Sequence, residues 1–317
     1  MDDFAGARLV PVGGPAPEDV VIDVAGDVYT GLADGRLVRI LEGNGPVETV
    51  AQLRGRPLGL ELLGAGELLV CASDAGLLAV ALDGGRVRTL TDRFAGRRLG
   101  AVNNAAVADD GTIYFSDSSV HFPVPRWRED LVQRSRSGRL FRRDPDGTVT
   151  ELLGGLEFAN GVALAADGAY VAVAETGARR VQRVWLSGTR AGQSEVFADD
   201  LWGYPDNLAL GSDGLIWVAM PGPRTAMLES IQRAPAVVRS LARRVPERWQ
   251  PTPDPAVGIA ALDDSGRTVR LLTGTLEGLT MLTGVRESGG TLWLANLTGD
   301  SVATLPVPAP QSAGDVP

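Results

Sequence analysis

A turn glycine, a short β-rich strand, a second turn and another strand recur six times along this chain, and few folds accommodate such a repeat. The copies occupy residues 26–30 with 35–40, 66–70 with 76–80, 110–115 with 138–141, 167–173 with 178–184, 213–218 with 257–262, and 289–294 with 301–305. An antiparallel sandwich matches the strand content, but nothing in that architecture calls for the same unit six times. The repeat therefore predicts an all-β chain folded as a six-bladed β-propeller, one blade per copy. One domain is expected over residues 1–317, with a core of about residues 15–307 and a frayed tail, rich in Pro, Ala, Ser and Gly, over 308–317.

Two insertions break the period. Residues 116–137 delay the second half of the third copy and carry the only histidine, His121, together with Trp127. Residues 221–256 do the same in the fifth copy. Within them Ala226-Met227-Leu228-Glu229-Ser230-Ile231 and Val237-Val238-Arg239-Ser240-Leu241-Ala242 have the apolar spacing of a helix, and Pro235 separates them. A short helical insertion is expected in the fifth blade, as a lid or a packing arm. Its arginines (Arg233, Arg239, Arg243, Arg244 and Arg248) read as a solvated face.

Composition narrows the chemistry. Hydrophobic residues make up 44% of the 317, enough for a large core, and 40 glycines and 20 prolines suit many short strands and turns. Thirty basic against 39 acidic residues leave a net charge of −9, which argues against nucleic acid or an anionic membrane as the main partner. Every basic residue is arginine, which excludes Schiff-base chemistry and a P-loop lysine. Cys71 is the only cysteine and lies in the apolar run Leu68-Leu69-Val70-Cys71-Ala72, so a buried structural thiol is expected and a thiolate metal cluster is excluded. Met1-Asp2-Asp3-Phe4 lacks the apolar stretch of a signal peptide, and no segment approaches the ~20 apolar residues that span a bilayer. A soluble cytoplasmic protein is the expectation.

The repeat also puts four oxygen-bearing side chains in one phase. Eight residues before the turn glycines Gly26, Gly111, Gly168 and Gly214 stand Glu18, Asn103, Asn160 and Asp206; the same offset gives Leu58 and Leu282 in the other two copies. In a propeller the strand before this turn is the innermost one, so residues in one phase form a ring around the channel. Asn and Asp also favour the turns that open strands. Yet Asn103 follows Val102, and Asn160 precedes Gly161-Val162-Ala163-Leu164, outside any obvious turn. Buried without partners these groups are costly, and a shared cation removes the cost. An oxygen-only set with two carboxylates suits a hard divalent cation, calcium before zinc or copper.

Gly55-Arg56-Pro57-Leu58-Gly59-Leu60, Thr112-Ile113-Tyr114-Phe115-Ser116-Asp117-Ser118-Ser119, Phe158-Ala159-Asn160-Gly161-Val162, Val173-Ala174-Glu175-Thr176 and Gly203-Tyr204-Pro205-Asp206-Asn207 resemble the strictosidine synthase-like proteins, a group that includes adipocyte plasma membrane-associated protein. More distantly the chain is similar to the gluconolactonase/regucalcin, paraoxonase and diisopropylfluorophosphatase families. The resemblance implies a six-bladed propeller with calcium held by a glutamate, asparagines and an aspartate, roles that fall on Glu18, Asn103, Asn160 and Asp206. Asn207 stands where some relatives have a further polar contact. Asn104 stands where many relatives carry Asp, which removes one possible proton acceptor. The plant Pictet–Spengler enzyme uses a glutamate in its last blade and does not depend on the ring; the matching residue here is Thr283, which argues against strictosidine synthesis. Paraoxonase-type enzymes place a histidine near Pro57, and none is present there.

The expected function is a calcium-dependent hydrolase acting on a lactone or other ester of a small-molecule substrate. Asp206 and Asn160 are the expected catalytic residues, with Asp206 orienting or deprotonating the attacking water. His121, Asn207 and Thr283 are candidate substrate contacts. A non-catalytic propeller stabilised by calcium, and a lyase or cyclase of natural-product metabolism, are the alternatives.

Overall fold

In most globular sheets only one face is buried. Here the sequence runs Leu68-Leu69-Val70-Cys71-Ala72 and Ile216-Trp217-Val218-Ala219-Met220 are apolar at every position, so both faces of the strands must be covered. The computed structural model, which describes residues 4–64, 66–250 and 252–308, covers them by standing six four-stranded antiparallel sheets around a common axis. Of the expected frayed tail, 309–317 lie outside the described residues.

Blade 1 comprises Val20–Ile22, Val28–Gly31, Arg36–Ile40 and Val47–Gln52, ordered outward from the axis. Blades 2, 3, 4 and 5 begin at the axis with Pro57–Leu62, Val102–Val107, Ala159–Leu164 and Leu208–Leu210. Blade 6 comprises Leu282–Ser288, Thr291–Asn296 and Ser301–Pro306, and its outermost strand is Arg8–Pro11 from the other end of the chain. Arg8 pairs with Thr304 and Pro11 with Ser301, so the ring is closed by hydrogen bonds. This strand precedes the repeat and carries none of its turn glycines, which is why the repeat alone starts the core later.

Six apolar clusters fill the six gaps between neighbouring blades. In the strand Glu67–Ala72, Leu68, Val70 and Ala72 pack towards blade 1 while Leu69 and Cys71 pack towards blade 3. Cys71 is fully buried there, and burial pushes its thiol well above the ordinary range, as expected of a structural cysteine.

Both insertions join the second strand of a blade to its third. The third-blade insertion contains α1 (Trp127–Gln133), which the sequence pattern does not reveal. The fifth-blade insertion contains α2 (Ala226–Arg233) and α3 (Ala236–Ala242), on either side of Pro235 as expected. The second strand of blade 3 ends at Asp117, which pairs with Val102 at the start of the innermost strand. The insertions therefore rise from the end of the propeller where the innermost strands begin. No helix among the described residues is long and apolar enough to cross a membrane.

Removing residues 1–12 takes away the closing strand and the buried side chains Phe4 and Val12. At about 2–4 °C per kcal/mol for a large domain, the melting temperature is expected to fall by several degrees. Calorimetry of the truncated chain checks this, and an unchanged transition would show that the hydrogen-bonded closure is dispensable.

Candidate metal centre at the channel mouth

Where each innermost strand begins, one residue turns into the channel and the next faces the neighbouring blade. In blades 2, 3, 4 and 6 a register shift at the strand start inserts the extra residue that makes this possible. In blades 1 and 5 the same positions lie just ahead of the strand, held by Glu18 N–H on Gly31 O at 3.2 Å and Asp206 N–H on Ala219 O at 2.8 Å. The ring positions are Glu18, Leu58, Asn103, Asn160, Asp206 and Thr283. The sixth is a correction to the count from the turn glycine, which gives Leu282. Strand pairing in blade 6 continues to Ser288–Thr291 across a two-residue Gly289-Gly290 turn, so its hairpin is shorter and the offset loses one residue.

The residues that follow alternate around the axis as Asp19, Gly59, Asn104, Gly161, Asn207 and Gly284. Each glycine lies against the next blade: an added Cβ would stand 2.7 Å from Asn103 O at Gly59, 2.5 Å from Asp206 O at Gly161 and 2.9 Å from Glu18 O at Gly284. The polar side chains reach across these gaps. Asp19 accepts from Leu60 N at 3.0 Å, and Asn104 accepts from Val162 N at 2.8 Å while donating to Asp19 at 3.3 Å. Asn207 donates to both Glu18 carboxylate oxygens at 3.4 Å. Beneath them the Arg286 guanidinium bonds Leu60 O, Val20 O and the Glu61 carboxylate, the last at 3.0 Å.

The amides around the ring are oriented by hydroxyl groups. Asn103 Nδ2 donates to Ser118 at 3.0 Å, and Asn160 Nδ2 donates to Thr176 at 3.2 Å. Thr176 in turn donates to Pro205 O at 2.7 Å. With their nitrogens occupied, Asn103 Oδ1, Asn160 Oδ1 and Asn207 Oδ1 are buried with no hydrogen-bond partner. An unsatisfied buried acceptor is costly and rare, and three of them flank two carboxylates. Such a set matches the oxygen ligands of a hard divalent cation. Among the described residues no group of three or more His, Cys, Asp or Glu side chains is placed to hold a metal ion; the donors here are mostly amides.

The electrostatics point the same way. Burial, then repulsion from Asp206 and Asp19, raises Glu18 well above the usual carboxylate range. Burial raises Asp206 to about 8 against the nearby Asn160 amide, and raises Asp19 to about 6 against the nearby Arg286. Glu18 is sealed off, whereas Asp206 keeps part of its surface accessible.

Of the expected site residues, Asn207 bonds Glu18, Asp206 bears on Glu18 and Asn160 on Asp206 electrostatically, and Asn103 occupies the equivalent ring position in blade 3. Thr283 is buried in the ring with its hydroxyl donated to Glu18 O at 2.8 Å. His121 stands apart, exposed on the third-blade insertion. Asp19, Arg56 and Arg286 are not singled out by the repeat. Arg56, within the Gly55–Leu60 stretch, bears on Glu18 electrostatically.

The sequence pattern of the SMP-30/gluconolactonase/LRE-like region matches residues 29–233, and that of the strictosidine synthase-like N-terminal region matches residues 2–40. Protein STRICTOSIDINE SYNTHASE-LIKE 6 of Arabidopsis thaliana is 32% identical over 273 residues, covering 84% of this chain and 73% of that protein. Among solved structures, a gluconolactonase from Xanthomonas campestris superposes with a TM-score of 0.67 at 18% identity, covering 96% of this chain and 90% of that one. A calcium-binding protein, regucalcin from Agrobacterium tumefaciens, superposes with a TM-score of 0.63 at 16% identity, covering 93% and 90%.

Two substitutions test this architecture. In Gly161→Ala the new Cβ would lie 2.1 Å from Leu208 N, and a loss of about 1–3 kcal/mol is expected. Arg286→Met leaves Glu61 and Asp19 without their shared cation and is expected to cost about 3–5 kcal/mol. Urea unfolding measures both, and adding Glu61→Gln to Arg286→Met should recover part of the second loss.

Proposed function

Since this chain belongs to the SMP-30/gluconolactonase/LRE-like family, in its strictosidine synthase-like branch, we propose that it is a calcium-dependent hydrolase of a lactone or other carboxylic ester. The observation that carries this reading is the trio of buried amide oxygens without partners beside Glu18 and Asp206. In this reading Glu18, Asn103, Asn160 and Asp206 hold one calcium ion, with Asn207 Oδ1 as a further donor. When bound, the ion supplies Lewis-acid polarisation of the substrate carbonyl and stabilises charge on its oxygen.

The chain's own residues divide the remaining work. Asp206 is the ring carboxylate with accessible surface, so it orients the attacking water and takes its proton. Asn160, held by Thr176, keeps its amide beside the Asp206 carboxylate and favours its charged form. Asn207 steadies Glu18. Thr283, whose hydroxyl is committed to Glu18 O, holds Glu18 in place and borders the substrate site in this reading. His121, exposed on the third-blade insertion and apart from the ring, takes no part in this step. A Pictet–Spengler reaction is disfavoured, because the place of its glutamate holds this already bonded threonine.

The test pairs binding with turnover. Calcium is expected to raise the melting temperature of the chelator-treated protein, by an amount equivalent to about 2.7 kcal/mol at a hundred times the dissociation constant. Hydrolysis across a panel of lactones and aryl esters should vanish with chelator and return with calcium. Asp206→Asn should reduce turnover by roughly a hundredfold or more. Equal rates with and without chelator would remove the metal from the mechanism. A calcium-dependent melting shift with no turnover on any ester would instead identify a non-catalytic, calcium-stabilised propeller.

A further inference from the structure

We propose that the two insertions form a docking face for the surface of an anionic phospholipid bilayer. The observation is an inverted amphipathic helix. In α3 the side that meets the rest of the protein is polar: Arg239 bonds Gln133 O at 3.1 Å and Ser240 bonds Gln133 Oε1 at 3.2 Å. Just beyond the helix, Arg243 bonds Glu129 at 3.2 Å. The side turned to solvent is apolar, with Val237 72%, Val238 47% and Leu241 63% exposed. Met227, Val245 and Trp249, at 48%, 38% and 70%, are further exposed apolar side chains of the same insertion. Six of the chain's exposed large apolar side chains thus come from one insertion, where a water-facing helix ordinarily presents charge.

Basic groups fringe the apolar surface. A groove of about 640 Å³ between the two insertions is lined by Arg126, Arg128, Arg243 and Arg244, with Trp127 and a single carboxylate, Glu129. Glu129 is already shared by Arg126 and Arg243. Among the described residues Arg128, Arg244 and Arg248 have no carboxylate partner, and Arg248 lies over the exposed Trp249 ring, 4.9 Å from its centre. Residues 221–256 contain six arginines against three acidic residues, in a chain whose net charge is −9. The overall charge argues against an anionic surface, but the charge is segregated, and this face carries the opposite sign.

Apolar side chains at the centre, tryptophan and arginine at the edge, and a groove for an anionic headgroup are the features with which a helix lies in a bilayer interface. A second copy of this chain fits less well, because a symmetric contact would set arginine against arginine. The face is also held rigidly. Each helix packs on the other two, and Gln232 ties α2 to Leu131 O and to Gly177 O of blade 4. Both insertions leave the propeller at the ring end of the channel, so docking would present that mouth to molecules dissolved in or leaving the membrane.

The test is co-sedimentation of the full chain with phosphatidylcholine vesicles, with and without phosphatidylserine, alongside sedimentation velocity without lipid. Binding should require phosphatidylserine and weaken sharply at about 0.5 M salt. Val237→Ser with Leu241→Ser, Trp249→Ala, and Arg244→Glu with Arg248→Glu should each reduce it by roughly tenfold or more. All alter exposed side chains remote from the ring, and their melting temperatures should match the parent's. Absence of binding at low salt, or binding indifferent to these variants, overturns the proposal. So does a concentration-dependent dimer abolished by Val237→Ser with Leu241→Ser, which would assign the face to a second copy.

Discussion

Six innermost strands begin around one axis, and every polar group at those beginnings must be satisfied there, away from bulk water. The rest of the site follows from this crowding. Glycine alternates with Asp19, Asn104 and Asn207 because a side chain can cross to the next blade only where that blade has none. The arrangement is close to threefold within a sixfold frame. It breaks at Asn207, whose oxygen meets no backbone N–H of blade 6, unlike the Asp19 and Asn104 oxygens, which meet those of blades 2 and 4. The break falls beside Glu18 and Asp206, where two carboxylates already strain the local electrostatics. Order below and unmet need above are two results of the same packing.

The protein answers the lower and upper levels differently. Below the ring, Asp19 and Glu61 are balanced by Arg286, a cation built into the chain. Above it, the three amide oxygens and two carboxylates have no such internal partner, apart from the electrostatic reach of Arg56 towards Glu18. A permanent guanidinium suits a structural level because it cannot leave. At the upper level the proposed exchangeable ion would differ in that its coordination can be shared with a further ligand.

Much of the architecture was legible because the apolar strands and their turn glycines recur with the blades. The ring positions Glu18, Asn103, Asn160 and Asp206 were legible for the same reason, since four hairpins keep the same length. The sixth ring position was placed one residue early, at Leu282 and not Thr283, because the Gly289-Gly290 turn is tighter than its counterparts, a difference that a glycine count does not register. Arg286 and Asp19 escaped notice because their roles come from contacts between blades far apart in sequence, such as Arg286 with Glu61. The short α1 escaped because Pro123 and Pro125 precede it and its apolar residues are few. Helical spacing did locate α3, but periodicity says only that a helix has two faces. Which face meets the protein was settled by polar contacts to α1.

The pairing of Arg8 with Thr304 has a consequence for how the chain is made. The propeller's first strand waits until the sixth blade has been made before its neighbour exists. Contacts of such wide sequence separation form late and slowly. Until they do, five and three-quarter blades stand with one raw edge able to template aggregation. For this propeller, the pairing that closes the ring is the one that makes the molecule safe from itself.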